Sequence, residues 1–395
     1  MGILCAAKIG ARHIKRYATR TPVYAYVHVD IHADPCGCVS GDQHPAASAL
    51  VKKPVKHMKV ITLSQPGRFT LGEAEPPAQP KPGEALVRVH RVGICGTDAH
   101  AYRGKMPFVT YPRVLGHELG VEVLAVGSDV TTVRAGDMCA LEPYLNCGQC
   151  VACRAGKTNC CTTLQVLGVH TDGGMRDQII VPAVKLHPAV GLSYEQLALV
   201  ETLGIGGHAV DRAQMQPDEW TLVIGAGPIG LSVLQFAQLA TKNLIVMDIN
   251  PTRLDFASEH FEIAHALKAD NEPLIQIERI TNGDLPTLVF DATGNAKSMM
   301  NAFRYVAHGG RLVFAGLIDA DITFSDPFFH RREITLFATR NSTARDFQRI
   351  LEQVRVGHID TRPWVTHRAT ASDMIGQFDG WLQPESGVVK AMVEF

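Results

Sequence analysis

From residue 58 onward, hydrophobic and polar positions follow a regular pattern that changes character once along the chain. Stretches rich in valine and other β-branched residues at 59–63 and 84–92, separated by the proline-rich 76–82, read as strands of an antiparallel or barrel-like unit. Further short strands punctuated by glycine are expected at 120–126, 137–141 and 176–181. Near Pro217 the pattern shifts. A continuous apolar run at 220–224 is followed by helical spacing at 228–240, then a strand at 244–248 and a helix at 251–259. Strands are expected again at 288–291, 311–315 and 334–338, with helices at 297–305 and 344–356. Strands alternating with helices predict βαβ crossovers and a parallel sheet covered on both faces. The valine-rich tail, 387–395, returns to strand character and is expected to pack back on the first region. The pattern therefore predicts an α/β chain, a β-rich first region followed by a doubly wound one. No internal repeat or low-complexity segment interrupts 58–395.

A length of 395 residues favours two domains over one core. Apolar residues make up 46% and charged residues 19%, the balance of an ordinary globular enzyme. The net charge of −1 gives no global field for nucleic acid or an anionic membrane, and no apolar run is long enough to span a bilayer. The first 57 residues differ from the rest. They carry Lys8, Arg12, Lys15, Arg16, Arg20, Lys52, Lys53 and Lys56 against only Asp30, Asp34 and Asp42. An Arg-rich, acid-poor start is similar to a mitochondrial transit peptide. No clear amphipathic repeat accompanies it, so the expectation is a disordered extension, or sequence upstream of a natural initiator at Met58. Cys36 and Cys38 have no histidine at ligand spacing and are assigned no role.

Val223-Ile224-Gly225-Ala226-Gly227-Pro228-Ile229-Gly230 is G-x-G-x-x-G between an expected strand and an expected helix. Gly225 serves the tight turn, Gly227 the approach of backbone to a pyrophosphate, and Gly230 the helix–strand contact. Pro228 and Ile229 open the helix whose amides face the phosphates. A glycine-rich turn without a ligand is the bland alternative, but the second strand ends in Asp248, an acid placed to accept from ribose hydroxyls and to repel a 2′-phosphate. NAD is the expected cofactor. Arg253 lies close enough in sequence to neutralise a phosphate, which leaves NADP possible.

Five of the ten cysteines crowd into 147–161, a metal-site pattern rather than a disulfide framework, which points to a reducing compartment. Cys147, Cys150 and Cys153 with Cys161 offer four thiolates for a closed, structural zinc, and adjacent Cys160 is the alternative fourth ligand. A second constellation is dispersed: Cys95, His117 with Glu118, and Glu201. Singly these read as a buried cysteine, a satisfied histidine and solvated glutamates. Together a Cys/His/Glu set can hold a catalytic zinc with one position open.

The combination resembles the zinc-containing branch of the medium-chain dehydrogenase/reductase family across nearly all of 58–395. The resemblance rests on I-C-G-T-D-x-H at 94–100, G-H-E at 116–118, the four-cysteine lobe at 147–161, E-T-L-G-I-G-G-H-A at 201–209 and G-A-G-P-I-G at 225–230. It implies a GroES-like, β-rich catalytic domain in two pieces, 58–207 and 344–395, flanking a Rossmann domain over 208–343, with two zinc ions per chain. Cys95 and His117 are implied as catalytic zinc ligands. Glu201 stands where sorbitol-dehydrogenase-like members place a glutamate, and Glu118 is implied as a close neighbour of the metal or an intermittent ligand. Thr97 and His100 correspond to the proton relay, and Cys161 rather than Cys160 closes the structural site.

Glutamate at 201 points towards polyol, threonine and sugar-acid dehydrogenases. The stretches 144–147 and 168–174 are similar to members that oxidise sugar acids such as galactonate. The expected activity is hydride transfer from a secondary hydroxyl of a polyol or aldonate to NAD. The runner-up is a threonine or simple secondary-alcohol dehydrogenase, and a non-catalytic NAD-binding scaffold is a third reading that intact Cys95, His117 and Glu201 oppose. A zinc-ribbon nucleic-acid module on 147–161 fails because that lobe carries only Arg154 and Lys157. A strand at 334–338 would end the sheet, so its edge is expected to find a partner, and the resemblance implies a homodimer or homotetramer. The expected location is cytoplasmic, or the mitochondrial matrix if 1–57 is a transit peptide.

Overall fold

The computed structural model describes residues 57–270 and 272–395, so the expectations for the N-terminal extension lie almost wholly outside the described residues. Two large sheets organise the rest. The first has seven strands. In spatial order Val365–Thr370, Lys390–Glu394, Glu84–Gly93, Glu118–Val126, Met138–Leu141 and Leu186–Pro188 follow one another, and Gln178–Pro182 also pairs with Glu84–Gly93. All of its pairings are antiparallel except that of Val365–Thr370 with Lys390–Glu394. The expected return of the tail is observed: Met392 registers against Gly93, and Val393 against Val92.

The second sheet has six strands, all parallel. Its spatial order is His265–Lys268, Leu244–Asp248, Thr221–Ile224, Leu288–Asp291, Arg311–Phe314, Thr335–Ala338. Numbered along the chain, that order is 3-2-1-4-5-6, the doubly wound arrangement in which the first strand sits centrally and carries the dinucleotide turn. Thr221–Ile224 and Leu244–Asp248 are buried throughout, as strands covered on both faces must be. Thr335–Ala338 forms one edge, with Leu336 exposed, and His265–Lys268 the other.

Most differences from the expected elements are end effects of one to three residues, such as the helix Pro228–Ala237. The strands Arg68–Ala74, His265–Lys268 and Val365–Thr370 and the helices Pro273–Ile280 and Ala371–Trp381 add to the pattern-based reading. So does the 20-residue helix Tyr194–Ala213. Its start is capped reciprocally, with the Gln196 amide donating to Ser193 Oγ and the Ser193 amide donating to Gln196 Oε1. Of those 20 residues 13 are buried, so no single apolar stripe reveals the helix in sequence. It packs against Pro228–Ala237, Ala344–Arg355 and Glu118–Val126, linking both sheets, and it runs through the expected domain boundary at 207/208. Gly206 permits this: an added Cβ would fall on Ser232 of the neighbouring helix.

Candidate active site and metal centres

The strand Glu84–Gly93 ends one residue before Ile94, and Cys95 then caps the helix Gly96–Tyr102. Asp98 Oδ2 accepts the Cys95 amide at 2.9 Å, which fixes the turn that presents the thiol. Opposite Gly93 in register stands Glu118, the first residue of Glu118–Val126. A Cβ at Gly93 would fall on the Glu118 carboxylate, so glycine there leaves the carboxylate its space. His117 follows Gly116, whose φ of +94° favours glycine.

Sulfur, imidazole nitrogen and carboxylate oxygen of Cys95, His117 and Glu118 lie within 4.8 Å of one another. Glu201, on the helix Tyr194–Ala213, is buried nearby but outside that triplet; its Oε1 accepts a hydrogen bond from the buried Tyr144 hydroxyl. The Glu118 carboxylate receives Lys390 Nζ at 2.6 and 2.8 Å, and both side chains are 1% exposed. Lys390 also reaches Thr202 Oγ1 at 3.3 Å. Burial by itself would raise the Glu118 carboxyl, but the Lys390 ammonium and then His117 hold it below the ordinary range. Burial keeps Glu201 above that range despite His117. For His117, burial opposes the charge, yet Asp98 and Cys95 carry the imidazole well above its usual value.

The residues present fit a metal. His117 Nδ1 and Asp98 Oδ1 are buried 3.9 Å apart, and neither has a hydrogen-bond partner. An imidazole ligand held from behind by a carboxylate has this layout. Thr97 Oγ1 lies 3.7 Å from Cys95 Sγ, and His100 is exposed one turn further along the same helix. Sequence reasoning missed Asp98, Tyr144 and Lys390. Asp98 lay inside the run already singled out; Lys390 was signalled only as a lone cation between apolar neighbours in a strand.

The second cluster gathers Cys147, Cys150, Cys153 and Cys161, again within 4.8 Å of one another. Cys160 is exposed and outside the group, whereas Cys161 is buried. Amides already point at the sulfurs: Cys153 N to Cys150 at 3.5 Å and Cys147 N to Cys161 at 3.3 Å. Amide donation from Cys153 and Thr162 brings the Cys150 thiol down to about 5, which suits a thiolate ligand. Cys150→Ser is expected to lower stability and the yield of soluble protein while one metal per chain remains, because a structural zinc contributes folding free energy. Thermal unfolding with a metal count checks this; unchanged stability would remove the structural assignment.

At the parallel sheet, Gly225 takes φ +96° directly after Thr221–Ile224, and Gly227 caps the helix Pro228–Ala237. A Cβ on Gly230 would fall on the Gly225 carbonyl oxygen, whereas one on Gly227 would meet only Arg253 Nη1 at 3.6 Å. The turn is thus closed towards the strand and open towards a ligand, with the Ile229 and Gly230 amides in the first helical turn, where no helical carbonyl claims them. Asp248 Oδ2 accepts the Ala226 amide at 2.6 Å and Oδ1 that of Asn250 at 2.8 Å. Gly225, Gly227, Asp248 and Arg253 line a cavity of about 430 Å³ together with Lys297 and Tyr305. These residues fit a dinucleotide.

A redox enzyme that pairs a metal with a dinucleotide is the class this architecture defines. Residues 81–191 match the family described as the alcohol dehydrogenase GroES-like domain, and residues 228–355 match that of the zinc-binding dehydrogenases. L-galactonate-5-dehydrogenase of Escherichia coli K12 is 36% identical over 338 residues, which cover 86% of this chain and 99% of that one. Sorbitol dehydrogenase of Bacillus subtilis 168 is 32% identical over 319 residues, covering 78% of this chain and 90% of its own length. An alcohol dehydrogenase of Escherichia coli CFT073, solved with NADH, superposes with a TM-score of 0.79 at 31% identity, covering 86% of this chain and all of that one. The chain belongs to the zinc-containing medium-chain dehydrogenase/reductase family of alcohol dehydrogenases. It is an enzyme of the class that acts on CH–OH donors, with a GroES-like domain beside a Rossmann-type one. Among the described residues no helix is long and apolar enough to cross a membrane.

Proposed function

We propose that this enzyme oxidises a secondary hydroxyl of a polyol or a sugar acid, such as an aldonate, with NAD as hydride acceptor. The observation that carries the reading is the Cys95–His117–Glu118 triplet, half-buried at Cys95 and buried at the other two, a three-donor set suited to a zinc whose fourth position takes substrate. Similarity to L-galactonate-5-dehydrogenase and sorbitol dehydrogenase supports the substrate class. Cys95 and His117 hold the catalytic zinc with Glu118 or Glu201 as the carboxylate, and Cys147, Cys150, Cys153 and Cys161 hold the second ion. Zinc so held supplies a Lewis acid that makes an alcohol hydroxyl acidic near neutral pH, and the nicotinamide supplies the hydride acceptor.

The chain's own part is to orient the substrate and to move the proton. Thr97 Oγ1, 3.7 Å from Cys95 Sγ, relays the proton, accepting it as its own hydroxyl proton passes on. His100, three positions along the same helix and exposed, hands it to solvent. Gly225, Gly227, Pro228, Ile229 and Gly230 seat the pyrophosphate, Asp248 takes the ribose hydroxyls, and Arg253 flanks them. The catalytic domain comprises 58–207 with 344–395, and the cofactor domain 208–343. The edge strand Thr335–Ala338, unpaired on one side in the single chain, is the face through which two copies pair. Described cysteines that form no disulfide suit a reducing, cytoplasm-like compartment.

A zinc count per chain together with NAD-linked activity against polyols, aldonates and amino alcohols tests the proposal. About two zinc ions are expected from one closed and one open site, with the highest kcat/KM on an aldonate or polyol. A single zinc, or turnover confined to amino alcohols, would overturn it.

A further inference from the structure

Two carboxylates stand at the Cys95 centre, and each has its own partner. Glu118 accepts from Lys390 at both oxygens yet keeps an oxygen within the 4.8 Å group of ligand atoms, while Glu201, outside that group, has Oε1 drawn to the hydroxyl of Tyr144, a side chain 1% exposed. A thiolate, an imidazole and two carboxylates would fill a four-coordinate zinc and leave no place for a substrate oxygen. In a buried pocket, a carboxylate without a competing donor beside a dication would bind it.

We infer that Tyr144 is a positioning residue whose hydroxyl holds Glu201 off the metal and so keeps one coordination position open for substrate. This rests on the reading of Cys95, His117 and Glu118 as the catalytic metal centre. Tyr144 is well placed for such work because its backbone is pinned on both sides independently of that centre. Two residues before it, Glu142 accepts from Lys185 at 2.5 Å and lies 3.2 Å from His187 Nε2. Two residues after it, Asn146 Oδ1 accepts from the same Lys185 ammonium at 2.8 Å. Asn146 also approaches the thiolate lobe, with Nδ2 3.8 Å from Cys153 Sγ. The short strand Tyr144–Leu145 pairs with Gln165–Val166. The phenol oxygen therefore sits where the scaffold puts it, and Glu201 must come to it.

The test uses full-length enzyme in which cobalt(II) replaces zinc, the tetrathiolate lobe serving as internal spectral reference. Tyr144→Phe keeps the ring and deletes the oxygen. The freed Glu201 is then expected to take the fourth position, so the d–d absorption of the Cys95 centre shifts. Metal retention against a chelator is expected to rise, because a protein carboxylate replaces an exchangeable ligand. kcat is expected to fall while KM for NAD stays unchanged. Adding Glu201→Gln to Tyr144→Phe is expected to restore the wild-type band, because an amide is a poor ligand. Glu201→Gln alone is expected to leave the band as in wild type; a shift would place Glu201 on the metal already and overturn the inference. An unchanged band and unchanged metal retention in Tyr144→Phe would overturn it too, leaving the catalytic reading intact. Uptake of only one cobalt per wild-type chain would overturn both.

Discussion

Cys95→Ser is expected to abolish useful turnover while leaving NAD binding intact. The two sites are built on different parts of the fold: Cys95 follows a strand of the antiparallel sheet, and the dinucleotide turn follows the central strand of the parallel one. A serine hydroxyl at neutral pH is a poor replacement for a thiolate ligand, so the metal is lost or held wrongly. Lewis-acid stabilisation of the transition state is worth several kcal/mol, so the loss in kcat should be on the order of 10²–10³-fold or more. Steady-state kinetics beside a direct NAD titration checks this. Near-normal turnover would show that Cys95 is not an essential ligand, and a parallel loss of NAD binding would show that the fold had been damaged instead.

The second large effect is expected at Lys390. Its ammonium is buried and bonded to both oxygens of Glu118. Lys390→Met retains much of the volume but leaves a buried carboxylate without its counter-charge. Removing one partner of such a pair costs about 3–5 kcal/mol. Because a bound metal would give Glu118 another positive partner, the apoprotein should lose more than the zinc-loaded enzyme. Denaturant unfolding of both forms measures the difference. Equal losses would mean that Glu118 and the metal do not interact, and no loss would mean that the pair contributes nothing to the fold.

What was legible in the sequence, and what was not, follows from range. The dinucleotide turn was readable because Gly225, Gly227 and Gly230 act within six residues, between a strand and a helix of recognisable pattern. The thiolate lobe was readable for the same reason, but spacing left the choice between Cys160 and Cys161 open; the structure gathers Cys161 with Cys147, Cys150 and Cys153. The parallel sheet could be foreseen from alternation alone, since each buried strand carries its own apolar run. The helix Tyr194–Ala213 escaped because burial on nearly every face erased the periodicity that would have marked it.

Sequence by itself determined the fold class, the cofactor turn and the thiolate lobe, because each is written in neighbouring residues whose spacing and side-chain chemistry suffice. Tertiary structure alone decided the electrostatics of the catalytic centre. Glu118 meets Lys390 across 272 positions, and Tyr144 meets Glu201 across 57. Those meetings depend on Gly93 registering with both Glu118 and Met392, and on a helix crossing that small residues allow. A local pattern carries no record of which distant charge will share its pocket; only the assembled sheet, which excludes water and brings the strands together, makes that choice.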